Sequence, residues 1–383
     1  MTTVLEKAAI NDILQPVAVD LLRHTRGTAI EWYGRAATAL YRAFRIARRL
    51  TGTSTAEAEV ILPSISCATP ANAALFAGVT LRFADVDPDT GMPTLKHIEA
   101  RWNSRTRAVV FVHLFGHTAD LRPLSEWCRA RNILLIEDLA QALGSRLPDG
   151  TFAGSVGDLS VYSFNRTKIL ECGGGALLIR SQELASVSAE CSAVEPLPPE
   201  IDGDRARMLA LSYRNLHHSL VGLMRACAAD EVSSAFLKLQ PAFQQLYLRP
   251  MKNPEALAMA WSRLPEILRH RRRNAERYED MLRAGNWRTL NQWAQSGVCW
   301  RYSLLVDFPD DLVEFSDAVR NDGFHVSNLY WPVNEFFRPA DACPNANYFA
   351  RRVVNLWVDQ SVDRSSVEKC ARSVIKNAAR FAA

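Results

Sequence analysis

Val161 to Gly175 reads VYSFNRTKILECGGG. A short apolar run comes first. A polar turn with one lysine, Lys168, follows, and three glycines then lead into a second apolar run, Ala176 to Ile179. The pattern predicts two strands joined by a loop. A lone lysine between strands is ordinarily a surface residue, but its neighbours here suit a ligand. Ser163, Asn165 and Thr167 offer hydroxyl and amide groups to an anion. Gly173, Gly174 and Gly175 lack a Cβ, so backbone can come close to a ligand or to a packed strand. A lysine that forms a Schiff base needs such a place, partly desolvated and next to a phosphate anchor.

Polar turns with glycine are common, and the reading gains weight from an earlier stretch, Asn132 to Ser145, NILLIEDLAQALGS. Ile133 to Ile136 is an apolar run of the kind expected for a strand buried on both faces. It runs into Glu137-Asp138, and a carboxylate at the carboxyl end of a parallel strand lies where open α/β sheets bind ligands. Asp138 either pairs with a protonated pyridine nitrogen, holding the ring as an electron sink, or caps the next helix.

Together the two stretches resemble the DegT/StrS-type sugar aminotransferases, pyridoxal-phosphate (PLP) enzymes of fold type I. In that family an acidic pair, a small residue and Ala-Gln precede a Ser-Phe-x-x-x-Lys turn and a glycine pair. Here the residues are Glu137-Asp138-Leu139-Ala140-Gln141 and Ser163-Phe164-Asn165-Arg166-Thr167-Lys168. The resemblance implies that Lys168 carries PLP as an aldimine and that Asp138 binds the pyridine nitrogen. It places Gln141 against the ring near its phenolic oxygen and Ser163 on the phosphate. The family's Ser-Gly-Thr-x-Ala-Leu turn, whose amides meet the phosphate at a helix N-terminus, corresponds to Arg35-Ala36-Ala37-Thr38-Ala39-Leu40. The amides of Ala36 and Ala37 can still serve an anion, although a hydroxyl is lost. Arg35 either compensates or lies on the surface. A family Asn that reaches the partner subunit's phosphate falls near Arg249, which is either its substitute or a surface arginine. Arg271, Ala275 and Tyr278 match the family's Arg-x-x-x-Ala-x-x-Tyr run in the long helix joining two domains.

Composition is compatible with this picture. The chain has 383 residues, enough for a large domain and a smaller one, with 48% apolar and 22% charged residues. A net charge of +4 permits an anionic small substrate but does not argue for nucleic acid. No apolar run is long enough for a membrane span, and MTTVLEKAAINDILQP is not a secretory signal. Eight cysteines lack CxxC spacing, which points to reduced thiols in a cytoplasmic protein and to no metal site.

The expected fold is α/β, a large domain with a mainly parallel, seven-stranded-type sheet and a smaller C-terminal α/β domain. Residues 1–250 form the first, with a helical insertion at about 186–245; residues 251–383 form the linking helix and the second. Along the chain, residues 1 to about 30 read as short helical pieces, and Trp32 to Gly52 as one helix with Arg42, Arg45, Arg48 and Arg49 off its apolar stripe. Strands are expected at Glu59–Pro63, Thr80–Val86, Arg107–Leu114, Trp300–Phe308 and Val353–Val358, with a strand-like run from His325 to Val333. Helices are expected at Leu124–Arg131, Met208–Tyr213, Leu216–Cys227, Val232–Leu239, Leu312–Asp322 and Ser365–Ala379. His113 reads as a fixed histidine at a strand end, Asp85 as structural and His217-His218 as surface. Cys67 or Ile65 falls where the family often presents an aromatic residue to the cofactor ring, and Asn334 stands where it has His.

The resemblance therefore implies a PLP-dependent aminotransferase. An amino donor, glutamate by resemblance, would supply nitrogen to a keto acceptor, a nucleotide-linked keto sugar, in a homodimer without nucleic-acid or membrane partners. Alternatives are the same chemistry on a cyclitol or aminobenzoate precursor, or a non-catalytic binding or regulatory homologue.

Overall fold

The computed structural model describes residues 4–50, 58–195, 197, 203–212, 242, 246–285 and 287–381. Most of the expected insertion, with the helices proposed from Leu216 and Val232 and the pair His217-His218, lies outside the described residues. Residues 203–212 are helical.

Seven strands form the large sheet: β1 (Ala29–Tyr33), β2 (Glu59–Pro63), β3 (Thr80–Ala84), β4 (Thr106–Val112), β5 (Leu134–Asp138), β6 (Leu159–Ser163) and β7 (Gly175–Ile179). Their order is β1-β7-β6-β5-β4-β2-β3. The pairs β3–β2, β2–β4, β4–β5 and β5–β6 are parallel, whereas β7 runs antiparallel to both β6 and β1. The central strands are buried along their length, as near-continuous apolar runs require when helices cover both faces. The helix Ala36–Arg49 covers one face with Leu40, Phe44 and Ala47, spaced to share one side.

The second sheet is small and antiparallel: β8 (Trp287–Leu290), β9 (Tyr302–Val306), β10 (Val326–Ser327) and β11 (Val353–Leu356), in the order β10-β11-β9-β8. The helices Leu264–Leu282 and Arg364–Ala378 cover it through Ala275, Tyr278, Leu282, Val367, Ala371 and Val374, which share its core. No described helix is long and apolar enough to cross a membrane.

Several local expectations are corrected. The first residues form one helix, Val4–Thr25, whose Leu14, Val17 and Leu21 are buried. Trp32 and Tyr33 belong to β1, and the helix expected from Trp32 begins at Ala36. Pairing with β7 takes the backbone of Ala29–Tyr33, so the extended form wins over helical periodicity. Arg42 is buried in that helix, 2% exposed, with its guanidinium against Tyr33. β8 had no strand expectation, and the run from His325 yields only the two residues of β10.

One contact fixes the geometry of the edge where β6 ends. Ser163 pairs with Gly175 in the β6–β7 ladder. A Cβ on Gly175 would lie 2.3 Å from the Ala36 backbone nitrogen and 2.6 Å from its Cα. The helix start therefore rests on bare backbone. Gly175→Ala should cost about 1–3 kcal/mol through overpacking, read as a lower urea midpoint at unchanged slope. An unchanged midpoint would show that the helix start yields freely.

Candidate active site

Three chain segments meet at the carboxyl edge of the parallel strands: the end of β5, the loop from β6 to β7 and the start of the Ala36–Arg49 helix. Asp138, the last residue of β5, is 5% exposed. Its Oδ1 accepts the Ala140 N–H at 2.9 Å, and Leu139 to Gly144 form turns rather than the helix that a capping role would need. Burial raises the Asp138 pKa, opposed by the Ala140 N–H and then by the positive charges of Lys168 and His113. The amine belongs to the loop that leaves β6, the strand paired in parallel with β5.

Lys168 is half-buried, with its Nζ 5.8 Å from the centre of the Trp300 ring. Its loop is anchored by Phe164, Ile169 and Leu170, all buried. Phe164 donates its N–H to Gly174 O and accepts the Gly173 N–H at 2.7 Å. Thr167, just before the lysine, has a positive φ of 69°.

The acidic pair divides its work because neighbouring side chains on a strand point to opposite faces. Glu137 is fully buried; its two oxygens take the N–H groups of Gly154, Val156 and Gly157, and Oε2 lies 2.9 Å from His113 Nε2. Burial pushes its pKa up, but the His113 and backbone hydrogen bonds outweigh this and hold it below the ordinary range. His113 is the fixed core histidine its position suggested. Asp85 is likewise structural, accepting the Asn345 and Ala346 N–H groups.

Gln141 is also buried, and it accepts the Phe115 N–H at 2.7 Å while donating Nε2 to the Tyr330 hydroxyl at 2.5 Å. Burial raises the Tyr330 pKa, and the nearby Cys67 and Asp138 add to it. Tyr330 therefore lies between the β5 end and the Ser64–Cys67 loop. Its ring stacks on Phe115, which stacks in turn on Trp300 at 6.0 Å and 8°. Phe115 and Trp300 had no site role in the sequence reading. Three aromatic residues from distant segments carry no spacing signal.

On the other side of the Lys168 loop, Ser163 is 4% exposed and accepts Asn165 Nδ2 at 3.4 Å. Ala36 and Ala37 open the facing helix, where the first amides have no preceding helical carbonyl to bond and the dipole favours an anion. Arg35 caps nothing with its side chain. It is half-buried rather than on the surface, with its guanidinium 4.9 Å over the Tyr247 ring. Burial lowers its pKa; Tyr247 opposes this and the nearby Arg249 adds to it. Arg249 is held at the same helix start by its backbone, which accepts the Gly34 N–H and donates to Thr38 Oγ1. Ile65 is core, bridging to Pro332, and Cys67 is half-buried at the head of the helix Ala68–Phe76. Asn334 is buried and donates to Asp341 O.

The architecture, a large mainly parallel sheet with a second small antiparallel sheet, is that of PLP fold-type I structures, and it sets a carboxylate at the end of β5 and an amine in the loop that leaves the adjoining β6. Residues 36–194, in the large domain, match the model of the DegT/DnrJ/EryC1/StrS aminotransferase family. A dTDP-4-dehydro-2,3,6-trideoxy-D-glucose 4-aminotransferase from Saccharopolyspora spinosa is 28% identical over 320 residues, 82% of this chain and 76% of that one. An L-glutamine:2-deoxy-scyllo-inosose aminotransferase from Streptomyces kanamyceticus is 37% identical over 284 residues, 72% of this chain and 60% of that one. The chain spans about a third of the length of the GDP-perosamine synthases it also matches. A putative sugar aminotransferase from Streptococcus pneumoniae, solved in its PLP form, superposes with a TM-score of 0.72 at 16% identity, covering 97% of this chain and 92% of that one.

The family implies PLP, and the residues present fit it. The bare backbone of Gly175 lets a helix start, with its unbonded first amides, lie beside the Ser163–Gly175 pair, and the Asp138 carboxylate is buried at the same sheet edge. An acid whose folded-state pKa is raised destabilises the fold as pH rises above its ordinary value of 3.8, because the folded chain resists losing that proton. Asp138→Asn keeps an acceptor for Ala140 and removes the buried charge. Without cofactor, the variant should melt a few degrees above wild type at pH 8, and the gap should close as pH falls toward the carboxyl range. Its affinity for PLP should drop at least ~10-fold, the loss of one charged hydrogen bond. A gap that does not change with pH would show that Asp138 ionises freely.

Proposed function

We propose that the protein transfers an amino group from an amino acid, glutamate by resemblance, to the keto group of a nucleotide-linked sugar, with Lys168 as the cofactor-bearing amine. The observation that supports this best is the placement of the buried Asp138 at the end of β5 and of Lys168 in the loop that leaves β6, the strand paired in parallel beside it. PLP, when bound, supplies an aldehyde that carries nitrogen and a ring that delocalises an electron pair.

The chain's own residues then divide the work. Lys168 Nζ would accept the proton from the α-carbon of the donor and hold it within the site. Asp138 would hold a protonated pyridine nitrogen, and its burial would make that ion pair stronger than it would be in water. Ser163 and the amides of Ala36 and Ala37 would hold the phosphate, with Arg35 and Arg249 adding positive charge at the same helix start. Gln141, oriented by Phe115 and Tyr330, would hold the ring at its phenolic oxygen. The Phe115, Trp300 and Tyr330 rings wall the site against water.

The relative from Saccharopolyspora spinosa favours a nucleotide-sugar acceptor, and the cyclitol aminotransferase supports a second reading with a free cyclitol. Borohydride treatment of the PLP-loaded protein should leave a pyridoxyl group on Lys168, found by peptide mass spectrometry. Transamination of dTDP-4-keto sugars should exceed that of 2-deoxy-scyllo-inosose in kcat/KM and vanish in Lys168→Ala. No pyridoxyl group on Lys168 would end the enzymatic reading and leave a binding or regulatory homologue; a faster 2-deoxy-scyllo-inosose reaction would move the assignment to cyclitols.

We infer also that the working form is a homodimer. Support comes from the family's Asn, which crosses to the partner's phosphate and aligns near Arg249. Light scattering should give twice the 42.8 kDa chain mass, and a monomer that transaminates fully would overturn this.

A further inference from the structure

Lys168 is flanked by two peptide planes, and both are held from outside its own loop. Thr167 O, on the plane before it, accepts the indole N–H of Trp300 at 2.6 Å. Lys168 O, on the plane after it, accepts Arg271 Nη2 at 3.3 Å. The same Arg271 donates Nη1 to Trp300 O at 3.0 Å, which ties the two donors together. Within the loop, the Lys168 N–H donates to Asn165 O at 3.2 Å. With both planes fixed, φ and ψ of Lys168 are fixed, and so is the direction in which its side chain leaves the backbone.

The donors are themselves immobile. Trp300 is 2% exposed and Arg271 1%. The Trp300 N–H donates to Phe115 O at 2.9 Å, and its ring is packed between Phe115 and the Arg301 guanidinium, 4.6 Å from the ring centre. Arg301 is held by Asp359 at 2.9 Å. Thr167 has the left-handed backbone that an ordinary residue adopts only when its surroundings impose it, and the Trp300 bond falls on its carbonyl.

We propose that Trp300 and Arg271 are positioning residues for the reactive lysine: a clamp, built where the small domain joins the linking helix, that aims the Lys168 amine across the site toward Asp138. The clamp acts on the lysine and not on the rest of the cofactor site, since neither donor bonds Ser163, Ala36, Ala37 or Asp138. Gln141 is linked to the same assembly through Phe115, whose N–H it accepts and whose carbonyl takes the Trp300 N–H. The inference rests on the reading of Lys168 as the cofactor-bearing amine.

The test separates capture by Lys168 from binding in the pocket. Trp300→Phe retains the stacked ring and removes the N–H that reaches Thr167. Arg271→Met removes the bond to Lys168 O and serves if the first variant does not fold. Pyridoxamine phosphate occupies the pocket without a bond to Lys168, and pyridoxal phosphate needs that bond. In each variant, pyridoxamine phosphate affinity should stay within about threefold of wild type while the rate of pyridoxal capture on Lys168, read by borohydride fixation, falls roughly tenfold, as a misaimed reacting group requires. An unchanged capture rate would overturn the clamp, and so would equal losses of capture and of pyridoxamine phosphate binding, which would show a general loss of structure. If wild type itself gains no pyridoxyl group on Lys168, the underlying functional reading fails instead.

Discussion

The edge of the large sheet is built on a contact that leaves no room for a side chain. The start of the Ala36–Arg49 helix rests on Gly175, and Gly175 is paired with Ser163. Two segments more than a hundred residues apart thereby become neighbours, and the helix start comes to lie beside the end of β6. The ladder adds the third segment, because β6 runs parallel to β5 and brings Asp138 to the same end of the sheet. A larger residue at Gly175 would push the helix start away and separate the groups at that end.

Charge is managed differently on the two faces of β5. Glu137 turns inward, where three amides and His113 satisfy it; this makes it part of the scaffold. Asp138 turns to the site, keeps one amide as its own partner and relies on Lys168 and His113 for favourable charge. Burial costs it stability in the absence of a bound cation, as is usual where a side chain is held ready for a ligand. The aromatic stack of Tyr330, Phe115 and Trp300 runs beside Gln141 and Lys168 at this edge.

Much of this was legible from local pattern. The strands around Asp138 and Lys168 are short apolar runs ending in polar residues, and they form where that pattern places them. The misread elements are those whose state depends on a distant partner. Ala29–Tyr33 is extended because β7 pairs with it, although its sequence runs smoothly into helical periodicity. Arg42 looked like a solvated residue on a helix face, but Tyr33 and the strand beneath it enclose that position. Trp287–Leu290 is too short to announce itself and becomes a strand only against β9.

The sequence by itself determined the chemistry on offer: one lysine in a glycine-flanked turn, one aspartate ending a buried strand, and the family to which that pair points. Their meeting, and the identity of what aims them, belonged to the tertiary structure. Trp300 and Arg271 lie more than a hundred residues from Lys168, and their hydrogen bonds go to its backbone neighbours. Main-chain carbonyls are the same in every residue, so a bond to one leaves no mark in the order of side chains, and only the folded path of the chain reveals it.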